Sequence, residues 1–166
     1  MKRFVLLITM MTLLTGAILQ SKEPVRVAVL PFQNMDGLID LNVWSYKLQD
    51  SVFKILKAED PDQEHYHLVP SDSIEILLAE MNIDPTNPQY PSDMWKATDM
   101  LNVKYVLTGN FDIHAEKFLV NAYIYDARMR LPHPKYQAKN IFKSQDAIME
   151  SAPMIVKRLL PGLKKN

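Results

Sequence analysis

Side chains able to do chemistry are few in this chain and widely spread. His65 and His67 stand two apart in His65 to Val69, a stretch that reads as a short strand, so both rings point to one side, a spacing that a metal site uses. No third or fourth ligand lies close by in sequence, although Glu64 or Asp62 can complete a set in space. Ordinary exposed strand histidines are the expectation, and no metal ligand is assigned. Ser71, Asp72 and Ser73 offer hydroxyls beside a carboxylate, but they fall where a helix begins, and there such residues satisfy free backbone N–H groups before they act as nucleophiles. No G-x-S-x-G pattern occurs. Asp36 and Asp40 flank a turn, where aspartate bonds to its own backbone, and nothing selects them as a glycosidase pair. Gly109 has no neighbouring glycines, which excludes a phosphate-cradling loop and leaves close backbone approach within a strand as its role. No catalytic residue and no cofactor follow from these patterns.

The elements that hold these side chains are legible from periodicity. Val25 to Phe32 is β-branched and apolar on both sides, a central strand ended by Pro31. Leu41, Trp44, Leu48, Val52, Ile55 and Leu56 recur at helical spacing and predict an amphipathic helix over Asn42 to Ala58, with Trp44 and Leu48 in the core. Ser71 caps a second helix that buries Ile74, Leu77, Leu78 and Met81. Asn82 to Pro91, with three prolines, is irregular, and Ser92 or Asp93 caps a short third helix through Trp95, Ala97 and Leu101. Lys104 to Asp112 and Phe118 to Ile124 alternate in hydrophobicity and form an antiparallel hairpin. A proline-containing turn over Arg128 to Pro134 leads to an edge strand over Tyr136 to Phe142. Ser144 begins a last helix, kinked near Met149 by Pro153. The order βαβααβββα predicts an α+β fold: a mixed five-stranded sheet with helices packed mainly on one face.

The amino terminus reads as an export signal. Lys2 and Arg3 precede Phe4 to Leu19, a charge-free apolar run of 16 residues. As a helix it reaches roughly 24 Å, short of the roughly 30 Å hydrocarbon core, so cleavage after Ala17 or near Ser21 is expected. The alternative is an uncleaved inner-membrane anchor. Residues 1–21 are thus assigned to a signal peptide and 22–166 to a single domain in the periplasm, with no membrane insertion once the signal is removed. The chain has no cysteine, which excludes disulfides, thiolate catalysis, cysteine metal sites and a lipoprotein anchor. Removing Lys2 and Arg3 leaves 17 basic against 19 acidic residues, a net charge of −2 that offers no long-range attraction to nucleic acid.

Val27-Ala28-Val29-Leu30-Pro31-Phe32 with Asn34, the Tyr105-Val106-Leu107-Thr108-Gly109 strand preceded by Ala97 and Leu101, and the strand closing in Asp126-Ala127 resemble the TolB amino-terminal domain and its FlgO-like and CsgG-like relatives in bacterial envelopes. The likeness runs from about Val25 to Leu160. It implies a noncatalytic scaffold or assembly domain whose partners are envelope proteins. Roles belonging to TolB's propeller are not carried over, and the connections here are too short for the barrel-forming hairpins of CsgG-like proteins. Within the domain, Gln89, Tyr90 and Trp95 are the candidate partner-binding residues. Gln89 and Tyr90 stand at the end of the proline-restricted segment Asn82 to Pro91, which loses little entropy on ordering, Trp95 follows it, and tyrosine and tryptophan are enriched at binding hot spots. The alternative is a periplasmic ligand- or metal-binding domain, or an enzyme, using an unrecognised site around His65 and His67.

Overall fold

The computed structural model describes residues 23–164. The expected signal segment, residues 1–21, lies outside them. Strand β1 (Val25–Val29) runs between β3 (Tyr66–Leu68) and β4 (Tyr105–His114), parallel to both. From β4 the sheet continues antiparallel through β5 (Lys117–Asp126) to β6 (Leu131–Lys143). A further short strand, β2 (Gln33–Asn34), pairs parallel with β4 beyond the end of β1. The sheet therefore has six strands in the order β3-β1-β4-β5-β6, with β2 beside β4. The α+β class and the mixed sheet are as the sequence predicts.

The interruption between β1 and β2 has a local cause at Pro31. The Leu30 N–H still reaches the Leu107 carbonyl, Pro31 has no N–H to give, and the Phe32 N–H turns away to the Ser45 carbonyl. The Pro31 carbonyl is claimed by two side chains, accepting from the Tyr90 hydroxyl at 2.9 Å and the Thr108 hydroxyl at 2.8 Å.

The helices are distributed over both faces of the sheet, which corrects the expectation of a mainly one-sided layer. Helix α1 (Val43–Glu59) and helix α4 (Ser151–Lys164) pack against Val27, Val29, Leu107, Val120 and Ile124. Helix α2 (Ser71–Glu80) and helix α3 (Tyr90–Leu101) pack against Ala28, Leu30 and Val106. The reason lies in Val27-Ala28-Val29-Leu30, where successive residues are apolar in both directions and need cover on each side. Leu48, Val52 and Leu56 are fully buried on α1, and Trp44 is half-buried with its ring edge-on to Phe118 at 6.2 Å.

Three boundaries differ from the sequence reading, each through a proline. Helix α3 begins at Tyr90, with Gln89 as its cap and Pro91 in the first turn, where a missing N–H costs nothing. Strand β6 begins at Leu131 and includes Pro132 and Pro134, which an edge strand tolerates because its outer N–H groups have no partner to lose. The segment Gln145–Glu150 is a 3-10 helix that passes into α4 at Ser151. Pro153 consequently lies in the first α-helical turn, where its missing N–H interrupts no intrahelical bond, and Met149, the expected kink position, falls in the 3-10 segment that precedes the α-helix.

A candidate protein-interaction surface

The segment after β2 presents apolar side chains to solvent on a loop that is firmly held. Asn34 is 3 % exposed, and its amide bonds in three directions. Its Nδ2 donates to the Leu38 carbonyl at 3.0 Å and to Asn42 Oδ1 at 2.7 Å, while its Oδ1 accepts the Asp36 N–H at 3.1 Å. The Met35 N–H ties the loop to the Phe111 carbonyl, and Gly37 takes a positive φ of 76° that closes the turn. A 3-10 turn over Ile39–Leu41 follows, in which Leu41 is buried as an anchor. The consequence is that Met35, Leu38 and Val43 remain exposed and Ile39 is 81 % exposed, beside Ile113 at the tip of β4. A shallow concavity of about 650 Å³ lies between the loop and Ile113. Fully burying one such side chain is worth about 1.5–3 kcal/mol, so a cluster of them left in water by a hydrogen-bonded loop is surface suited to a second protein.

The residues picked out from sequence take different places. Gln89 is exposed, and its carbonyl accepts the Ser92 and Asp93 N–H groups at the start of α3. Trp95 is half-buried, edge-on to Tyr125 at 5.6 Å and with the Arg130 guanidinium over its ring at 5.8 Å; that guanidinium also bonds Asp99 at 2.9 Å. Tyr90 is 2 % exposed, and burial pushes its hydroxyl above the usual phenol range, against the opposing effect of its hydrogen bond with Thr108. Its ring is part of the core, which withdraws Tyr90 from the outer surface; the three residues do not form one contiguous exposed patch. The Met35–Val43 loop was legible in principle, since Met35, Leu38 and Ile39 interrupt an otherwise polar turn around Asp36-Gly37.

Groups with catalytic or metal-binding spacing are engaged elsewhere. His65 lies 3.5 Å from Asp60, and His67 bonds the Gln63 side chain at 2.6 Å. Among the described residues, no group of three or more His, Cys, Asp or Glu is placed to hold a metal ion. Ser51-Val52-Phe53-Lys54 has the Ser-x-x-Lys spacing of lysine-activated serines, but the Lys54 ammonium is bonded to Asp50 at 2.6 Å on an open helix face. Asp60 is structural: its carboxylate accepts the N–H groups of Glu64, His65 and Tyr66 at 2.9–3.1 Å. Burial raises its pKa, and the His65, Tyr66 and Glu64 N–H groups outweigh that effect and hold it below the usual carboxylate range. No helix among the described residues is long and apolar enough to cross a membrane.

A scan against family models finds no match, and a search of curated proteins finds none. Solved structures do match. The lipoprotein GNA1162 of Neisseria meningitidis superposes with a TM-score of 0.53 at 14% identity, over 86% of this chain and 99% of that one. The solution structure of Escherichia coli LpoB gives 0.50 at 11% identity, over 74% of this chain and 59% of that one. TolB of Acinetobacter baumannii gives 0.39 at 18% identity, over 86% of this chain and 29% of that one. At these identities the likeness concerns the fold, and the fold of this chain is the one found in GNA1162 and LpoB.

Proposed function

We propose that this chain is a noncatalytic protein-interaction domain of the bacterial envelope, a scaffold or assembly component related to the TolB amino-terminal and FlgO- or CsgG-like group. The observation that carries this reading is the exposed apolar loop from Met35 to Val43, held in shape by a buried asparagine. A catalytic site gathers polar groups in a concavity; this loop raises aliphatic side chains on a hydrogen-bonded frame. The fold shared with the lipoprotein GNA1162 supports the setting, and the apolar run from Phe4 to Leu19 supports export.

The test is crosslinking of the protein in intact envelope, comparing the parent with a Leu38→Ser, Ile39→Ser double variant. A discrete crosslinked partner is expected with the parent and is expected to vanish with the variant at unchanged thermal midpoint. Identical crosslinking by the two proteins would show that the loop is not the contact surface. Gln89 and Trp95 belong to the same test as a second pair. Their replacement by alanine is expected to weaken partner recovery less, since Trp95 already spends part of its surface on Tyr125.

A further inference from the structure

The two ends of the sheet are finished differently. The outer edge of β6 carries Pro132, Pro134, Lys135, Lys139 and Lys143, its pairing with β5 is broken by register shifts, and the Arg158 guanidinium donates to the Lys139 carbonyl. Prolines, lysines and bulges of this kind prevent a further strand from adding. The outer edge of β3, Tyr66-His67-Leu68, has neither proline nor lysine.

The register of β3 fixes which of its groups face outward. Pairs Val25↔Tyr66, Arg26↔His67 and Val27↔Leu68, with the Val25 N–H on the His65 carbonyl and the Val69 N–H on the Val27 carbonyl, direct both backbone groups of His67 toward β1. The backbone groups of Tyr66 and Leu68 therefore point away from the sheet. Asp60 takes the Tyr66 N–H at 3.1 Å. The Tyr66 carbonyl and the Leu68 N–H and carbonyl have no partner in the ladder among the described residues.

A cavity flanks this edge on each side. On the α1 face, about 210 Å³ lies between Phe53, Tyr66 and Leu68. On the opposite face, about 330 Å³ is bordered by Arg26 and His67, and among the described residues no carboxylate pairs with Arg26. Successive side chains of an added strand point to opposite faces, so one set would enter the cavity beside Phe53, Tyr66 and Leu68, whose rim also carries Lys57, Asp60 and Gln63, and the other would meet Arg26. We propose that the outer edge of β3 accepts an extended segment of a partner protein as an added strand, with apolar side chains toward Phe53 and acidic side chains toward Arg26. This adds a second surface to the protein-interaction reading and stands or falls separately from the Met35–Val43 loop.

The probe is a synthetic eight-residue peptide of alternating valine and glutamate, and the readout is amide hydrogen exchange of the purified protein. With the peptide, exchange at Leu68 is expected to slow about tenfold or more, while His67 and Val69, already bonded to β1, change little. N-methylation of the peptide amides in one alternate set is expected to abolish the effect and in the other set to leave it. Arg26→Glu, at an exposed position, is expected to weaken binding several-fold and to favour a valine–lysine peptide in its place. No slowing at Leu68 with about 1 mM peptide, a contact too weak to matter on the affinity scale, overturns the proposal. Equal effects of the two methylation patterns overturn it as well, as does loss of peptide binding in Ile39→Ser. Leu68 protection that rises with protein concentration and without peptide would assign the edge to a second copy of this chain, which also overturns it.

Discussion

The two faces of the sheet are covered to different extents. On one, α1 and α4 close over β1, β4, β5 and β6, and Phe111, Phe118, Val120, Ala122, Ile124, Ala138 and Ile141 are all buried there. On the other, α2 and α3 cover Ala28, Leu30 and Val106, but Leu119, Asn121 and Tyr123 of β5 stay only half-buried and Phe142 of β6 is exposed. The difference teaches that the α1/α4 face supplies most of the cohesion, while the α2/α3 face is a smaller satellite core that leaves part of the sheet open.

The largest effect is expected where the faces share a backbone constraint. Gly109 pairs with Ala122 across the β4–β5 ladder, and a Cβ there would collide with the Asn121 carbonyl and the Phe32 ring. Those atoms belong to a strand and a fully buried side chain, so neither yields cheaply. Gly109→Ala is expected to cost about 3 kcal/mol or more in urea unfolding. A loss under about 1 kcal/mol would show that the hairpin can shift, and with it the cover of the better-packed face.

Matched leucine truncations measure the contrast directly. Leu48 on α1 and Leu78 on α2 are both buried, at 0 % and 1 % exposure. Leu48→Ala is expected to cost about 3–5 kcal/mol and Leu78→Ala about 2–3 kcal/mol, because the thinner layer around Leu78 can close over the lost volume more completely. Equal losses would remove the distinction between a principal and a satellite core.

Asp60 tests the hydrogen-bonded margin of the α1/α4 face, where it fixes the entry to β3. Its folded pKa is depressed, so its contribution is complete above the unfolded value of about 3.9 and is lost as pH falls through the folded pKa. Asp60→Asn keeps one acceptor oxygen for three N–H groups and is expected to cost about 1–3 kcal/mol at neutral pH. The gap between variant and parent is expected to shrink below pH 4. A constant gap down to pH 2 would mean that charge on Asp60 contributes nothing.

Much of this architecture is legible in the residues themselves. The helical spacing of Leu48, Val52 and Leu56 places α1, and the alternation on both sides of Gly109 gives the hairpin. The two-sided cover was also implied by Val27-Ala28-Val29-Leu30, a run apolar in both directions, yet the strand order needed to see it depends on long-range pairing. Prolines mislead about boundaries because their cost depends on whether an N–H is required, which is a tertiary fact: Pro91 and Pro153 sit in first turns and Pro132 on an edge. Asn34 was recognisable as part of a motif, whereas its three hydrogen bonds, and the exposed Leu38 and Ile39 they impose, follow only from the folded loop. Tyr90 illustrates the opposite case, an aromatic beside prolines whose hydroxyl is needed by Pro31 across 59 positions of sequence.

The smallest effect is expected on neither face. Leu38 and Ile39 are 55 % and 81 % exposed, so replacing them by serine removes little that folding had buried. The frame of the loop bonds to the Leu38 carbonyl and uses no atom of either side chain, so it survives the change. The double variant is expected to match the parent within about 0.5 kcal/mol in urea unfolding. A larger loss would mean that these side chains pack inward in solution, extending the α1/α4 core over the loop and removing the loop as a docking surface. Unchanged stability together with loss of a crosslinked partner would separate the part of the chain that holds the fold from the part that meets another protein.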